Sequence, residues 1–308
     1  MAKNKILYVC QEISPYLPEN EFSKLSLDMA RQMQERGDEV RTFMPRYGCI
    51  NERRNQLHEV IRLSGMNLII NDNDHQLIIK VASIPAARLQ VYFIDNDDYF
   101  SRRAVLHDAE GKIFEDNDDR AIFFARGMLE TVKKLRWSPS IVHCHGWFSA
   151  IVPMYLKKVF YDDPLFSDVK IVLSLSDDKF DGTLCQEFKQ KLEGEGILDD
   201  SMAILEEPSY QNLYRFVIDY ADGVIVTSPN ADLEIVEYAR SRGKKVLDYH
   251  AGEDKEVFDE YKKFYDELYK GFPRCCSTAH GTLCRGVCYR GGLRHGRGVC
   301  SIAAADGA

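Results

Sequence analysis

Short apolar runs of strand length alternate with amphipathic stretches of helix length along most of the chain. The run from Ile6 to Cys10 is wholly apolar and partly β-branched, which is typical of a strand buried on both faces. Phe22 to Arg36 carries apolar residues at helical spacing, and Gly37 follows as a helix C′ residue would. Glu39 to Met44 predicts a second strand, which Pro45 ends. This β-α-β opening predicts a parallel sheet with right-handed crossovers.

The period of the pattern changes to two between Glu59 and Asp95, where three alternating segments are separated by turn residues. That change predicts a β-hairpin or meander inserted into the sheet. The later elements that we predict are helices at about 118–137, 148–158 and 253–269 and strands at 141–144, 170–175, 223–227 and 245–249. The fold class predicted for residues 1–270 is therefore α/β, a doubly wound, Rossmann-like parallel sheet with an inserted meander.

The composition fits such a domain and removes several classes of function. Of the 308 residues, 45% are hydrophobic and 29% are charged, which excludes an intrinsically disordered chain because enough apolar surface is available to order it. The net charge of −8 disfavours nucleic acid as a partner, since an acidic protein repels phosphate. No apolar run approaches the roughly 20 residues that span a bilayer, and no export signal is visible. We therefore expect a cytoplasmic protein without a membrane partner.

Residues 271–308 differ in kind from the rest of the chain. They hold five of the nine cysteines and five arginines, contain no lysine, and follow neither a helical nor a strand period. His280, Cys284, Cys288 and His295 are candidate metal ligands, but their spacing matches no pair of CxxC motifs. We therefore predict a disordered Cys/Arg/Gly-rich tail and no metal site.

In doubly wound sheets, ligands bind beyond the carboxyl ends of the strands, so the loops at those ends are the first candidates for a site. The loop after the first strand, residues 11–24, contains no glycine and carries Glu12, Glu19 and Glu21. A phosphate-binding loop needs glycines so that backbone N–H groups can approach the anion. This loop is predicted to be acidic and solvated. No Walker, GxGxxG, GxSxG or HExxH motif occurs in the body of the chain.

The second candidate lies at the end of the predicted strand 141–144, where His143, His145 and Trp147 alternate. The alternation predicts that His145 projects into the cleft with Trp147 beside it. A histidine there could bind a sugar hydroxyl or a developing charge, and an aromatic ring can cover the apolar face of a sugar. The alternative is a structural histidine that is hydrogen-bonded by neighbouring backbone.

The third candidate is a cluster of carboxylates and amides in residues 95–103 and 115–129. Asn117 or Asp118 would serve as the N-cap of the predicted helix, with acidic residues in its first turn, and capping accounts for most of the cluster. A carboxylate in this loop could instead bind sugar hydroxyls.

Several of these stretches, in the same order, resemble the bacterial glycogen synthases and plant starch synthases. They are KILYVCQEISPY, GDEVRTFMPRYG, VYFIDNDDYFSRR, EDNDDRAIFF, IVHCHGWFSAIVPMYLKK and ADGVIVTSPNADLEI, and they extend over about residues 3–240. The resemblance implies the GT-B fold, of which this chain would be the N-terminal half. It also implies transfer of glucose from ADP-glucose to the non-reducing end of an α-1,4-glucan, with retention of configuration and without a metal or other cofactor.

The resemblance also implies roles for individual residues. His145 and Asp116 correspond to catalytic residues of the family, and five others correspond to substrate-binding ones, namely Tyr16, Tyr99, Arg102, Asn117 and Trp147. The implied ligands are an α-glucan and, if the chain is active, ADP-glucose.

The chain departs from the family pattern at four places. The Lys-x-Gly-Gly-Leu loop of the family falls on residues 18–22, Pro-Glu-Asn-Glu-Phe, whose acids would repel a diphosphate. Gly146 replaces the aspartate of the His-Asp-Trp block, and Ser-Leu-Ser-Asp at 174–177 replaces Thr-Ile-His-Asn. We also expect no counterpart of the family's C-terminal Rossmann domain after residue 269.

Two hypotheses of different class follow from these observations. The first is a synthase-type glycosyltransferase domain that is active only when a second polypeptide supplies the missing domain. The second is a non-catalytic relative that binds glucan or a protein through the surviving cleft. In both cases the open face of the cleft predicts a protein partner or a homodimer that covers it.

Overall fold

A ten-stranded sheet forms the centre of the fold, and the computed structural model describes residues 3–270 of the chain. The strands are β1 (Lys5–Cys10), β2 (Glu39–Pro45), β3 (His58–Glu59), β4 (Met66–Ile70), β5 (Asn73–Ile84), β6 (Leu89–Asp95), β7 (Ile141–His145), β8 (Lys170–Leu175), β9 (Gly223–Val226) and β10 (Lys245–Leu247). The helices are α1 (Glu21–Glu35), α2 (Asp97–Phe100), α3 (Asn117–Lys134), α4 (Val152–Lys158), α5 (Phe188–Gly194), α6 (Tyr210–Ile218), α7 (Leu233–Ser241) and α8 (Asp254–Lys270).

The strand order confirms the predicted doubly wound α/β fold. Strands β10-β9-β8-β7-β1-β2-β6 are neighbours in that order, and each adjacent pair among them is parallel. The chain reverses between the β2 side and the β7 side of β1, which is the switch point where such folds form a cleft. Strands β5, β3 and β4 extend the sheet with antiparallel pairing. The predicted meander therefore exists, but its last segment, β6, pairs in parallel with β2 and belongs to the main sheet.

Buried strands and well-capped helices explain why these segments fold locally as they do. In β1, residues Ile6 to Cys10 are completely buried, as expected for a parallel strand covered on both faces. Helix α1 begins with a capping box, in which the Asn20 side chain accepts from Ser23 N and Ser23 Oγ accepts from Asn20 N. It ends before Gly37, whose φ of +92° suits glycine.

Helix α8 is anchored to the middle of the parallel sheet. Its Tyr265 is completely buried, and the hydroxyl lies 2.6 Å from His143 Nδ1 and 3.1 Å from the Tyr8 hydroxyl. The other ring nitrogen of His143, Nε2, lies 2.8 Å from Ser174 Oγ. Each polar group in this interior network thus has a partner, as buried polar groups require.

The start of α3 differs from the prediction. Asp116 occupies the N-cap position and makes no capping hydrogen bond with its side chain. Asn117 lies inside the helix and donates from Nδ2 to Leu106 O at 2.9 Å, whereas the completely buried Asp118 accepts from Lys191 Nζ at 2.7 Å. The prediction that Asn117 or Asp118 caps this helix is therefore wrong, because tertiary partners claim both side chains.

Other boundaries also differ from the prediction. The helix predicted at 148–158 is a 3-10 turn at Trp147–Ser149 followed by the shorter α4, and helices α5, α6 and α7 were not predicted. No helix within residues 3–270 is long and apolar enough to cross a membrane. The predicted tail and its candidate metal ligands, residues 271–308, lie outside the described part of the chain.

Candidate functional site

A cleft of about 470 Å³ opens at the carboxyl ends of β1, β7, β8 and β9. Four loops that follow these strands form most of its wall, as expected for a parallel sheet near its switch point. We call this cavity the strand-end cleft. Its lining consists of Gln11, Glu12, Asn20, Glu21, Phe22, Leu25, Val105, Leu106, His107, Trp147, Ser176, Asp177, Asp178, Lys179, Thr227, Ser228, Pro229, Asn230 and Tyr249.

His145 lies beneath the strand-end cleft and does not line it. The side chain is completely buried, and its ring stacks on the ring of Phe22 with centroids 4.1 Å apart. Neither ring nitrogen has a hydrogen-bond partner of normal geometry among the described residues. Burial lowers the pKa of His145 to about 3, and a smaller opposite effect comes from the backbone of Phe22. The expectation that this ring projects into the cleft is thus not met, because Phe22 covers it.

Gly146 allows Phe22 to take this position. Its φ is +94°, and a Cβ atom there would lie 2.7 Å from Gln11 Cβ and 2.8 Å from Phe22 Cζ. Any larger residue at this position would force Gln11 or Phe22 to move. The aspartate of the resembled family and the ring of Phe22 therefore compete for the same space.

The floor of the cleft holds a carboxyl group that the sequence analysis did not single out. Asp178 Oδ2 accepts from the backbone N–H of Trp147 at 2.6 Å, and Oδ1 accepts from the Tyr210 hydroxyl at 2.8 Å. Desolvation raises the pKa of Asp178 to about 6, although both hydrogen bonds lower it. Trp147 itself is only 2% exposed and packs on Phe180 with ring centroids 4.8 Å apart. The sequence did carry a signal for Asp178, since Asp177 and Asp178 lie just after the buried strand β8.

The charged side chains in the lining of the cleft are mostly acidic. Carboxylates of four residues face it against the side chains of one lysine and one histidine, namely Glu12, Glu21, Asp177 and Asp178 against Lys179 and His107. Ser176 Oγ and Thr227 Oγ1 share a hydrogen bond of 2.6 Å, and Asn230 Nδ2 donates to Asp177 Oδ2 at 3.2 Å. Some hydroxyl, amide and carboxylate groups of the lining therefore bond one another across neighbouring loops.

Among the residues to which the resemblance gives roles, Asn117 supports the wall of the cleft from behind, and its neighbour Asp116 is paired with Arg102. Asp116 forms an ion pair with Arg102, in which Oδ1 accepts from Nη1 at 2.9 Å. Asn117 holds Leu106 O through its side-chain amide, and Leu106 lines the cleft. Asp116, Asn117 and Arg102 are therefore close together but do not line the cleft themselves.

The other two predicted substrate-binding residues also lie away from the cleft. The Tyr99 hydroxyl lies 3.0 Å from His75 Nε2, and the buried Tyr99 ring is tilted against Phe123. Tyr16 packs edge-on against Phe93 with ring centroids 4.8 Å apart, and it lines a different cavity. Among the seven predicted site residues, only Trp147 lines the strand-end cleft.

The described residues provide no cluster for a metal ion. Within residues 3–270, no group of three or more His, Cys, Asp or Glu side chains has an arrangement that could hold one.

Comparison with known proteins matches most of the described chain. A family model described as the starch synthase catalytic domain matches residues 5–249. The glycogen synthase of Chlorobium limicola is 35% identical over 225 residues, which are 73% of this chain and 45% of the relative. That of Pelodictyon phaeoclathratiforme is 33% identical over 233 residues, or 75% of this chain and 47% of the relative. The chain spans about half the length of the curated relatives it matches.

A solved structure supports the same fold. The catalytic domain of starch synthase IV from Arabidopsis thaliana, bound to ADP and acarbose, matches with a TM-score of 0.63 at 17% identity. The match covers 83% of this chain and 53% of that one, so this chain corresponds to about half of a GT-B catalytic domain. With the doubly wound sheet, the cleft at its strand ends and the family model over residues 5–249, the chain belongs to the glycogen and starch synthase family.

Proposed function

We propose that the strand-end cleft binds a neutral α-glucan chain, as the acceptor-binding part of a glycogen or starch synthase-type glycosyltransferase domain. The observation that carries this proposal is the lining, where hydroxyl, amide and carboxylate groups surround a cavity of about 470 Å³. Such groups exchange hydrogen bonds with sugar hydroxyls, and a pocket of this size suits a ligand of a few sugar units. Tyr249, which is exposed, adds aromatic surface for the apolar face of a sugar.

The diphosphate of a sugar nucleotide is a poorer match for this part of the cleft. Glu12, Glu21, Asp177 and Asp178 add negative charge to the lining, and one lysine opposes them. The start of α1 is not free to bind phosphate either, because the Asn20 and Ser23 side chains already form its capping box. A neutral ligand is not repelled by these acids and does not need the start of α1.

The second candidate is the family reaction, transfer of glucose from ADP-glucose to an α-1,4-glucan. The observation in its favour is His145, which ends β7 and keeps two ring nitrogens without hydrogen-bond partners among the described residues. A buried polar ring without partners is unusual unless a ligand or a rearrangement uses it. For this reaction Phe22 must move off His145, and groups outside residues 3–270 must hold the diphosphate.

Glucan binding is tested by fluorescence with Trp137→Phe, which leaves Trp147 as the one tryptophan of the chain. We expect maltoheptaose to change the emission of this variant in a saturable way. The matched control is Trp147→Phe, which retains Trp137, a residue bonded to Glu39 Oε1 at 2.6 Å and outside the cleft lining. An unchanged Trp147 spectrum at millimolar maltoheptaose, with no heat of binding by calorimetry, would exclude the proposal.

The second candidate is tested by incubating the full chain with ADP-glucose and maltoheptaose, alone and with the C-terminal half of a curated relative. Transfer that disappears in His145→Ala would support it. Calorimetric titration with ADP-glucose separates the two candidates, since tight binding of the nucleotide by the chain alone would contradict the electrostatic argument.

A further inference from the structure

A second cavity, of about 670 Å³, lies on the antiparallel side of the sheet, and we call it the meander groove. Pairing of the strands explains its floor. His58 lies opposite Val81, and Val81 lies opposite Tyr92, so these side chains share one face of the sheet. Glu59 pairs with Lys80 and therefore points to the other face. The alternation of the strands thus brings a histidine into the groove and keeps the neighbouring acid out.

The charge of the meander groove is opposite to that of the strand-end cleft. Arg54, His58 and Arg62 line it, and none of the described residues in its lining is Asp or Glu. Within residues 3–270, the guanidinium groups of Arg54 and Arg62 form no ion pair and no hydrogen bond, in contrast to most arginines of the body. The nearby Glu52 is already paired with Lys80 at 2.7 Å. In a chain with a net charge of −8, this local excess of positive charge has no internal counterion.

A buried hydroxyl group adds an independent sign of an unfilled site. Tyr16 lines the same groove, is 6% exposed, and its hydroxyl has no hydrogen-bond partner among the described residues. Burying an unpaired hydroxyl costs free energy that a ligand could recover by accepting or donating one bond. The remaining lining offers the Nε2 group of Gln90, whose Oε1 already accepts from Tyr92, and the Oδ1 atom of Asn55, whose Nδ2 already donates to Asn51 O. Such a donor and such an acceptor suit sugar hydroxyls.

We propose that the meander groove binds a free phosphorylated monosaccharide. Arg54 and Arg62 would hold the phosphate by charge-assisted hydrogen bonds, and the Tyr16 hydroxyl and the amides would bind the sugar. Tyr92 and Val81 in the floor supply the apolar surface that a sugar ring covers. This assignment goes beyond the proposed glucan function and does not depend on it, because the two cavities have separate linings.

The loop between β1 and α1 connects the two cavities. Gln11, Glu12 and Asn20 in this loop line the strand-end cleft, whereas Pro15 and Tyr16 line the meander groove. A ligand that fixes Tyr16 would therefore restrain the same loop that carries part of the glucan site.

The experiment is calorimetric titration of the full chain with glucose 1-phosphate and with glucose 6-phosphate, using glucose and inorganic phosphate as separate probes. The test variant is Arg54→Gln/Arg62→Gln. Its matched control is Arg53→Gln/Arg136→Gln, which removes the same charge from two exposed arginines that are outside the groove and have no ion pair within residues 3–270. Tyr16→Phe removes the hydroxyl alone. Thermal unfolding of each variant checks that it is folded.

We expect one of the two sugar phosphates to bind the wild type at least about tenfold more tightly than glucose or inorganic phosphate does. The test variant should weaken this binding by about tenfold or more, because each arginine makes a charge-assisted bond, while the control changes it by less than about twofold. Maltoheptaose binding should be the same in wild type and test variant. Absence of binding, equal affinity for inorganic phosphate, or an equal loss in the control would overturn the proposal.

Discussion

The middle and the carboxyl end of β7 carry the same side chain in opposite circumstances. His143 and His145 are both completely buried, and burial lowers the pKa of each. The ring of His143 is hydrogen-bonded at both nitrogens, to Tyr265 and Ser174, whereas the ring of His145 has no such partner among the described residues. His143 and His145 are two residues apart on one strand, yet within residues 3–270 only the ring of His143 has side-chain hydrogen-bond partners.

This difference separates a region that stabilises the domain from a region beside the strand-end cleft. Helix α8 covers the middle of the sheet and satisfies its polar groups, so that region stabilises the domain. At the carboxyl end of β7, by contrast, the ring of Phe22 covers His145, and a phenylalanine ring has no group that could bond the imidazole nitrogens. The imidazole of His145 thus lies next to the strand-end cleft, and a movement of the Phe22 side chain would uncover it.

The largest expected effect comes from breaking the hydrogen-bond network of His143. His143→Leu leaves the hydroxyls of Ser174 and Tyr265 buried without the ring, and we expect it to lower the free energy of unfolding by about 3 kcal/mol. His145→Phe breaks no hydrogen bond of normal geometry and should change the free energy of unfolding by less than about 1 kcal/mol at pH 7. Urea unfolding measures both. If the two variants lose the same free energy of unfolding, the contrast between the two histidines is wrong.

The next largest effect on the free energy of unfolding is expected when a side chain fills the space beside Gly146. Gly146→Ala should cost about 2–3 kcal/mol, since it adds strain at a positive φ and brings its Cβ against Gln11 and Phe22. The control is Gly37→Ala, which also has a positive φ but nothing within 4 Å, and should cost about 1 kcal/mol. Phe22→Ala in the Gly146→Ala background should restore part of the loss. A failure to restore any of it would contradict the proposed competition for space.

The pH dependence of stability sharpens the same comparison. Because the folded pKa of His145 is about 3, the unfolded chain binds one more proton at this residue as the pH falls below about 6.5. The wild type should therefore lose stability relative to His145→Phe by about 2 kcal/mol between pH 7 and pH 5. Unfolding curves at both values measure the difference, in which all other titrating groups cancel. A difference independent of pH would contradict this expectation, because it would mean that His145 binds protons equally in the folded and the unfolded chain.

A small effect on stability, about 1 kcal/mol, is expected of Phe22→Ala, because this side chain is only half-buried. Phe22→Ala should also change the pKa of His145 and leave that of His143 unchanged. Without the covering ring, water reaches His145, and its pKa should rise from about 3 toward the ordinary value of about 6.5. Titration by NMR of the imidazole nitrogens measures this change, and the His143 signals provide the control because Tyr265 still covers that ring. If both pKa values stay low, another group seals the site.

Much of the fold could be predicted from the chain alone. β1, β7, β8 and β9 are short, mostly apolar runs buried on both faces, and such runs are recognisable without a partner strand. Helices α5, α6 and α7 were missed because seven to nine residues give too few turns for a clear period. β6 was assigned to the meander because alternation reveals a strand but not the direction of its neighbour.

The site could be predicted only in part. Trp147 at a strand end was found because the carboxyl edge of a parallel sheet is a general binding position. Asp178 was missed because its raised pKa comes from desolvation in the fold, and because its hydrogen-bond partners Trp147 and Tyr210 lie 31 and 32 residues away in the chain. Tyr16 was assigned to the substrate, yet packing turns it into the meander groove.

By itself the sequence determined the order of strands and helices and the loops at the strand ends, because hydrophobic periodicity and turn residues act over short stretches of chain. It also determined the acidity of the loop before α1. Only the tertiary structure decided that Phe22 covers His145, that Gly146 makes room for it, and that the basic and acidic cavities lie on separate parts of the sheet. These contacts join residues far apart in the chain, and close packing in three dimensions selects them.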